Sequence, residues 1–299
     1  MLKKLSLKSY AKLNLYLEVL KPRSDGYHDI KTVFEKIGLC DKIVLKARPD
    51  KKIKLTCNLP AVPKGQTNLA YRGAQLLRKA LHIDQGVDIR IIKHIPVAAG
   101  LGGGSSNAAS VLLGLNKLWG LALSKNKLAR LAANIGSDVP FFIYDYPFAE
   151  GCGRGDKIRP LKAISGLRLW HILIVPKFGV STPLIYKKWD KTLEKNKKAG
   201  LTRPGQDVKI LTLALKARNS ALLRESLFNS LEQVTVRLYP QIGRIREQLL
   251  RKGVKSILMS GSGPAVFGIC SSKKEALFLY RQLKKDGMVK VFATRTARR

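Results

Sequence analysis

Hydrophobic and polar residues alternate along the first twenty positions of the chain. Leu13, Leu15 and Leu17 fall on one face of an extended segment, and Lys12 and Asn14 fall on the opposite face. Alternation over this length predicts a half-buried β-strand over positions 5–20. The composition of the next six residues, Lys-Pro-Arg-Ser-Asp-Gly, indicates a turn.

The periodicity of apolar residues predicts further elements along the rest of the chain. The predicted helices cover residues 68–81, 124–136, 182–189, 209–218, 220–232, 241–252 and 273–283. The predicted strands cover residues 42–47, 52–57, 87–91, 169–175, 256–259, 266–270 and 289–293. We interpret the Lys-rich stretch 187–209 as a surface loop. The succession favours an α+β fold of two domains, residues 1–157 and 158–299.

A glycine-rich segment separates the predicted strand 87–91 from the next apolar-periodic stretch. Residues 96–110 read Pro-Val-Ala-Ala-Gly-Leu-Gly-Gly-Gly-Ser-Ser-Asn-Ala-Ala-Ser, and the following apolar residues recur at helical spacing. Ser105 or Ser106 is placed to cap that helix. Glycines allow a backbone to close around an anion, and the N–H groups of a first helical turn point at it.

We therefore interpret residues 96–110 as a polyphosphate-binding loop. A flexible linker is the alternative, but a linker needs neither the strand before it nor the capped helix after it. The segment matches neither the GxxxxGK[ST] pattern of a Walker A loop nor the GxGxxG pattern of dinucleotide-binding folds.

The composition is that of an ordinary globular protein, since 45% of the 299 residues are hydrophobic and 25% are charged. No apolar stretch reaches the length of a membrane span, and the N-terminus lacks a secretory signal, so we expect a cytoplasmic protein. The cysteines lie far apart, without histidines at ligand spacing, which argues against a zinc site. They are Cys40, Cys57, Cys152 and Cys270.

The net charge of +36 is exceptional, since 56 Lys and Arg residues stand against 20 Asp and Glu residues. Such a field attracts polyanions, nucleic acid included. No RNP, KH or helix-turn-helix signature accompanies it. We expect no specific nucleic-acid partner, only non-specific polyanion binding at low salt, and we favour a generally basic proteome as the cause.

Three sites outside the glycine loop carry side chains suited to chemistry. Lys12 and Asn14 lie two positions apart, so both project from one face of the first strand. Tyr27 offers a ring for stacking, and the His28 ring can donate or accept a hydrogen bond. Asp138 lies between a helix end and an apolar run, where a partly solvated carboxylate can take a proton from a substrate hydroxyl. An N-cap or a turn contact is the alternative for Asp138, and the residues alone leave the two open.

Four groups of residues together resemble the motifs of the GHMP kinases. They are residues 96–110, residues 11–15 with 25–28, residues 136–140 and residues 259–264. The resemblance extends over essentially the whole chain, in the family's order. It implies a ribosomal protein S5 domain 2-like N-terminal domain and a ferredoxin-like C-terminal domain. It also implies an ATP-dependent and Mg²⁺-dependent kinase.

Within the family, the motifs are most similar to those of members that act on a cytidyl-linked substrate. The resemblance thus implies phosphorylation of the 2-hydroxyl of 4-diphosphocytidyl-2-C-methyl-D-erythritol in the non-mevalonate route to isoprenoids. Asp138 would be the base and Lys12 its charged partner. Tyr27 and Tyr186 would sandwich the cytosine, and His28 would contact its edge.

The remaining matches are implied contacts with the substrate and ATP. The substrate contacts are Asn14 and Thr182. The contacts near the adenine are Asn68 and Lys93, and those around the phosphates are Pro96, Gly100, Leu101, Gly102, Gly103, Gly104, Ser105 and Ser106. The loop 261–263 would close the cleft from the second domain. We assign no protein ligands to the metal, because few acids lie near the glycine loop.

Alternative functions stay open at this level. Another GHMP kinase, acting on homoserine or mevalonate, would not need the Tyr27–His28 pair. A basic nucleic-acid-binding protein would bind RNA even at physiological salt, and a catalytically inactive relative is a third alternative. The chain is expected to act as a monomer or a homodimer.

Overall fold

Two β-sheets organise the protein, for which the computed structural model describes residues 3–198, 207–286 and 290–298. The strands are β1 (Lys4–Pro22), β2 (His28–Arg48), β3 (Ile53–Cys57), β4 (Gly86–Ile92), β5 (Phe148–Cys152), β6 (Lys157–Pro160), β7 (Trp170–Val175), β8 (Phe228–Asn229), β9 (Ser256–Met259), β10 (Val266–Cys270) and β11 (Lys290–Arg295). The first sheet has the order β3-β4-β2-β1-β8, with β5 and β6 continuing from β2. The second sheet has the order β11-β7-β10-β9.

The helices pack against these sheets. They are α1 (Leu69–Leu81), α2 (Gly103–Leu118), α3 (Lys125–Ala132), α4 (Val139–Tyr144), α5 (Thr182–Lys198), α6 (Val208–Ala217), α7 (Ser220–Ser226), α8 (Glu232–Leu238), α9 (Pro240–Arg251) and α10 (Lys273–Lys285). The first four form a core with the first sheet. Among the described residues, no helix is long and apolar enough to cross a membrane.

A further core joins the two sheets. Leu13 and Leu15 of β1 belong to the same buried cluster as Leu173 of β7 and Phe267 of β10. The alternation of β1 therefore has the predicted period, but the polar positions do not face water. Lys12 is only 4% exposed, because the glycine loop covers that side of the strand.

The first helices differ from expectation at their ends. The helix after the glycine loop begins at Gly103 with Gly102 as its N-cap, so the prediction of a Ser105 or Ser106 cap is wrong. The helix from Ser124 ends at Ala132, not at Gly136. After Ala132 the backbone forms hydrogen bonds between residues three positions apart, such as that from Ile135 N to Ala132 O at 2.9 Å.

Tertiary contacts also override two local predictions in the second half. The predicted helix 220–232 is interrupted, because Phe228 and Asn229 pair with β1 as the short strand β8. The basic stretch predicted as a loop continues α5 as far as Lys198. This helix is anchored by the buried residues Ile185 and Trp189. Residues 199–206 of that stretch lie outside the described residues.

Several elements were not predicted from the sequence. The strand placed at 42–47 is the last part of β2, which starts at His28. Helix α4 and strands β5 and β6 had no prediction. The proposed domain border at residues 157 and 158 falls inside β6, and it stays a prediction.

Candidate active site

A cleft of about 850 Å³ opens between the glycine loop, β1, the turn before β2 and the start of α5. Every predicted catalytic, substrate and ATP residue lines this cleft except Ser106, and Gly261 and Ser262 of the predicted loop 261–263 line it as well. The catalytic, substrate and ATP residues that line it are Lys12, Asn14, Tyr27, His28, Asn68, Lys93, Pro96, Gly100, Leu101, Gly102, Gly103, Gly104, Ser105, Asp138, Thr182 and Tyr186. Ser106 is buried, and its hydroxyl shares a 2.7 Å hydrogen bond with that of Ser9.

The glycine loop is held in a conformation that requires glycine. Gly100 has φ +75°, and a Cβ atom there would lie 2.1 Å from the carbonyl oxygen of Ser260. The loop carbonyls are used by the protein: that of Ala99 accepts from Ala265 N at 3.2 Å, and that of Leu101 accepts from Lys12 N at 3.0 Å. These two carbonyl groups of the loop therefore point towards neighbouring strands and loops of the protein.

The start of α2 supplies donors to the same space. The first turn of a helix has N–H groups without intrahelical acceptors, and the helix dipole favours negative charge there. Gly103 to Ser105 form that turn and line the cleft. This arrangement fits the phosphates of a nucleotide.

A lysine and a carboxylate meet in the middle of the cleft. Lys12 Nζ lies 3.7 Å from Asp138 Oδ2, with side chains 5% and 29% exposed. Burial lowers the pKa of Lys12, and the charge of Asp138 opposes that effect. The ammonium also donates to Asn14 Oδ1. The Asn14 amide is itself oriented by donating to Thr32 Oγ1 at 2.8 Å.

The surroundings of Asp138 bear on its two interpretations. The residue does occupy the N-cap position of α4, but its side chain makes no capping hydrogen bond. Its carboxylate instead faces Lys12 within the cleft. A carboxylate held by one buried cation, and partly open to the cavity, can accept a proton from a bound hydroxyl.

Aromatic side chains form one end of the cleft. The ring centroids of His28 and Tyr186 are 5.1 Å apart, and Trp189 lies edge-on to His28 at 5.9 Å. The His28 Nε2 atom shares a 2.7 Å hydrogen bond with Asp190 Oδ1. Burial raises the pKa of the Tyr186 hydroxyl far above its ordinary value, so the ring stays neutral.

Tyr27 is placed differently from its predicted partner. Its ring is 49% exposed, and the guanidinium of Arg154 lies 5.0 Å above it. The structure thus brings His28, rather than Tyr27, against Tyr186. The cytosine sandwich between Tyr27 and Tyr186 stays a prediction.

Asn68 and Lys93 both make contacts that build the site. The Asn68 side chain caps α1 by accepting from Ala70 N at 2.8 Å, and it donates to Pro63 O at 2.7 Å. Lys93 forms a buried ion pair with Asp41, beneath the start of α2. A Cβ atom at Gly103 would lie 2.8 Å from Lys93 Nζ, so this lysine underlies the glycine loop.

Some residues of the cleft escaped the sequence analysis. Ser262 of the predicted loop 261–263 lines it and shares a 2.7 Å hydrogen bond with Thr182, but Arg154 and Asp190 also line it and were not predicted. No sequence pattern distinguishes these last two residues from ordinary surface residues, since their positions depend on how the chain packs. Among the described residues, no cluster of three His, Cys, Asp or Glu side chains could hold a metal ion.

Comparisons with known proteins agree with this geometry. The family model described as GHMP kinases N terminal domain matches residues 68–146, and that described as GHMP kinases C terminal matches residues 211–288. A Geobacillus kaustophilus protein named 4-diphosphocytidyl-2-C-methyl-D-erythritol kinase is 43% identical over 282 residues, which cover 94% of this chain and 93% of the relative. A Shouchella clausii protein of the same name is 41% identical over 281 residues, or 94% and 91% of the two chains.

A solved structure extends the similarity to three dimensions. A crystal structure of 4-(cytidine 5'-diphospho)-2C-methyl-D-erythritol kinase matches with a TM-score of 0.80 and 32% sequence identity. The match covers 98% of this chain and 100% of the other. The two-domain architecture expected from the sequence is thereby confirmed.

Proposed function

This chain belongs to the GHMP kinase family, and from that premise we infer that it phosphorylates the 2-hydroxyl of 4-diphosphocytidyl-2-C-methyl-D-erythritol with ATP as the phosphoryl donor. The reaction is a step of isoprenoid biosynthesis by the non-mevalonate route. The observation that carries the inference is one cleft that contains an anion-binding loop, a Lys–Asp pair and an aromatic end, in a chain about 40% identical to kinases of that name.

The proposed mechanism relies on placing groups rather than on covalent catalysis. Phosphoryl transfer requires the attacking oxygen, the phosphorus and the leaving oxygen in line, with the charge of the phosphates neutralised. The glycine loop and the first turn of α2 would hold the phosphates of ATP. Asp138 would accept the proton of the substrate 2-hydroxyl while the hydroxyl oxygen attacks the γ-phosphorus of ATP. Lys12 would keep the Asp138 carboxylate oriented and ionised.

Recognition of the cytidyl group is proposed for the aromatic end. Tyr27, His28 and Tyr186 offer flat faces and one polar edge to a pyrimidine. Asn14 and Thr182 line the same cleft, and we propose that they contact the rest of the substrate. A substrate without a base, such as homoserine or mevalonate, would leave these aromatic side chains without a partner.

The divalent ion is proposed to be Mg²⁺. When bound, it would neutralise charge on the transferred phosphate and the leaving group. The described residues offer no carboxylate cluster for it, so we propose that the phosphates of ATP and water supply most of its ligands. Since ATP and the cytidyl substrate are polyanions that do not cross membranes unaided, we propose that the reaction takes place in the cytoplasm.

The test is an ADP-release assay with ATP, Mg²⁺ and 4-diphosphocytidyl-2-C-methyl-D-erythritol, run in parallel with mevalonate and homoserine. We expect turnover with the cytidyl substrate only. CMP and CDP should compete with that substrate, because they contain the group held at the aromatic end. Turnover with mevalonate or homoserine in preference would contradict the assignment.

A further inference from the structure

A second concave surface lies outside the active-site cleft. It is a groove of about 1150 Å³ between α1 and β3, and β3 is the last strand of the first sheet. Its charged lining consists of Lys51, Lys52, Lys54, Arg72, Arg78 and Lys79, with Asp84 as the one carboxylate. We call it the basic groove.

The charged lining of the basic groove is almost entirely cationic. The groove has six cations to one acid, while the whole chain has 56 to 20. The carboxylate of Asp84 already forms an ion pair with Lys51. Arg78 donates to neutral carbonyl oxygens, those of Lys51 at 2.6 Å and Ile83 at 3.3 Å.

Four cations of the groove are therefore left for an outside partner. Within the described part of the chain, no carboxylate lies within ion-pair distance of Lys52, Lys54, Arg72 or Lys79, and all four side chains are exposed. Holding like charges together without counterions costs free energy in the folded protein. A polyanion that fills the groove would relieve that repulsion.

These four cations lie on both sides of the groove, two near β3 and two on α1. Lys52 and Lys54 are two positions apart on an extended segment, or about 6.6 Å. Arg72 and Lys79 are seven positions apart on one face of α1, or about 10.5 Å. A flexible chain of phosphates can contact both pairs, because it is not held to the fixed repeat of a duplex.

The shape of the groove selects among polyanions. A lipid bilayer is flat and meets protruding residues, whereas these cations line a concavity. Tyr71, half-buried in the same wall, has a ring on which an unpaired base can stack. We propose that the basic groove binds single-stranded nucleic acid through its phosphates, without sequence preference, at a surface separate from the kinase cleft.

The first experiment measures fluorescence anisotropy of labelled oligouridine and oligothymidine, each about 12 nucleotides long to match the site size of a single-strand binding surface, as salt is varied. The groove variant replaces Lys52, Lys54, Arg72 and Lys79 by Gln. Loss of four phosphate contacts should weaken binding about tenfold or more near 0.1 M salt, and should reduce the slope of log K against log salt by about 2.8. Binding of both oligonucleotides indicates recognition of phosphate, and binding of only one indicates a further contact with the sugar 2′ position or with the 5-methyl group of the base.

The control variant replaces Lys273, Lys274, Lys284 and Lys285 of α10 by Gln. It lowers the net charge of the protein by the same four units, and its lysines are equally exposed on a convex helix. We expect this variant to bind like the wild type. Equal losses in the two variants would overturn the proposal, because binding would then follow total charge and not the groove.

Two further measurements distinguish loss of the groove from misfolding and from lipid binding. Kinase turnover should survive in the groove variant, which shows that it folds, since none of its four residues lines the active-site cleft. Vesicles containing phosphatidylserine provide the membrane comparison. If the groove variant loses vesicle binding but keeps oligonucleotide binding, the groove is a lipid-binding surface and the proposal is wrong.

Discussion

Replacing Asp138 by Asn tests the proposed mechanism most directly. The change keeps the size and shape of the side chain, and it removes the negative charge that faces Lys12 Nζ at 3.7 Å. The helix behind it should persist, because the Asp138 side chain makes no capping hydrogen bond to α4. The variant therefore removes a proton acceptor without removing a structural contact of the backbone.

The expected size of the effect follows from the role of the group. Loss of a positioned general base typically costs a factor of about 10² to 10⁴ in rate, or about 2.7 to 5.4 kcal/mol in activation free energy. The attraction between the two charges is at most about 4.5 kcal/mol at 3.7 Å with an effective dielectric constant near 20. Part of that attraction is offset by the cost of burying the charges, so stability should fall by less, at most about 3 kcal/mol.

The assay compares kcat, the KM for each substrate and the melting temperature of wild type and Asp138→Asn. We expect kcat to fall by at least about a hundredfold, while ATP binding, which depends on the glycine loop, stays within about threefold of wild type. A kcat close to that of wild type would refute the proposed role. A large loss of ATP affinity would show instead that the carboxylate shapes the phosphate site.

Three further changes test other parts of the cleft. Asp190→Asn weakens the hold on His28, so we expect a higher KM for the cytidyl substrate at nearly unchanged kcat; a loss confined to kcat would contradict this role. Gly100→Ala forces a Cβ atom to 2.1 Å from a carbonyl oxygen and should raise the KM for ATP about tenfold or more. The control Gly120→Ala, at φ +66° in open space, should cost only about 1 kcal/mol of stability. Since burial lowers the pKa of Lys12, the alkaline fall of kcat should begin below the ordinary lysine value of 10.5, and Lys12→Arg should abolish that fall or shift it to higher pH.

The sequence predicted the residues of the cleft better than it predicted the limits of the helices and strands. The glycine loop, Lys12 and Asp138 stand out because each belongs to a short local pattern with a physical meaning. All but Ser106 of the predicted catalytic, substrate and ATP residues line one cavity. Ser106 differs because its side chain lies on the buried side of α2, where its hydroxyl shares a hydrogen bond with that of Ser9. The local sequence pattern does not reveal this contact.

The wrong predictions of secondary structure have a common physical origin. Phe228 and Asn229 leave a helical pattern because β1 offers them a strand partner, more than 200 positions away. The Lys-rich continuation of α5 is helical because Ile185 and Trp189 are buried in the core of the second sheet, although its sequence has the composition of a loop. Arg154 and Asp190 reach the cleft in the same way, through packing between distant segments.

The shape of the cleft depends on how the two sheets are fixed to one another. Glu35 of β2 and His171 of β7 are both fully buried, and their Oε1 and Nε2 atoms are 2.9 Å apart. Thr296 donates to the same Glu35 oxygen at 2.6 Å. Breaking a buried pair of this kind is strongly unfavourable, because one polar group would be left without a partner. Glu35 pairs in register with Leu13 of β1, the strand that also holds Lys12 and Asn14. A polar contact away from the chemistry therefore helps to fix the strand on which the proposed catalytic lysine depends.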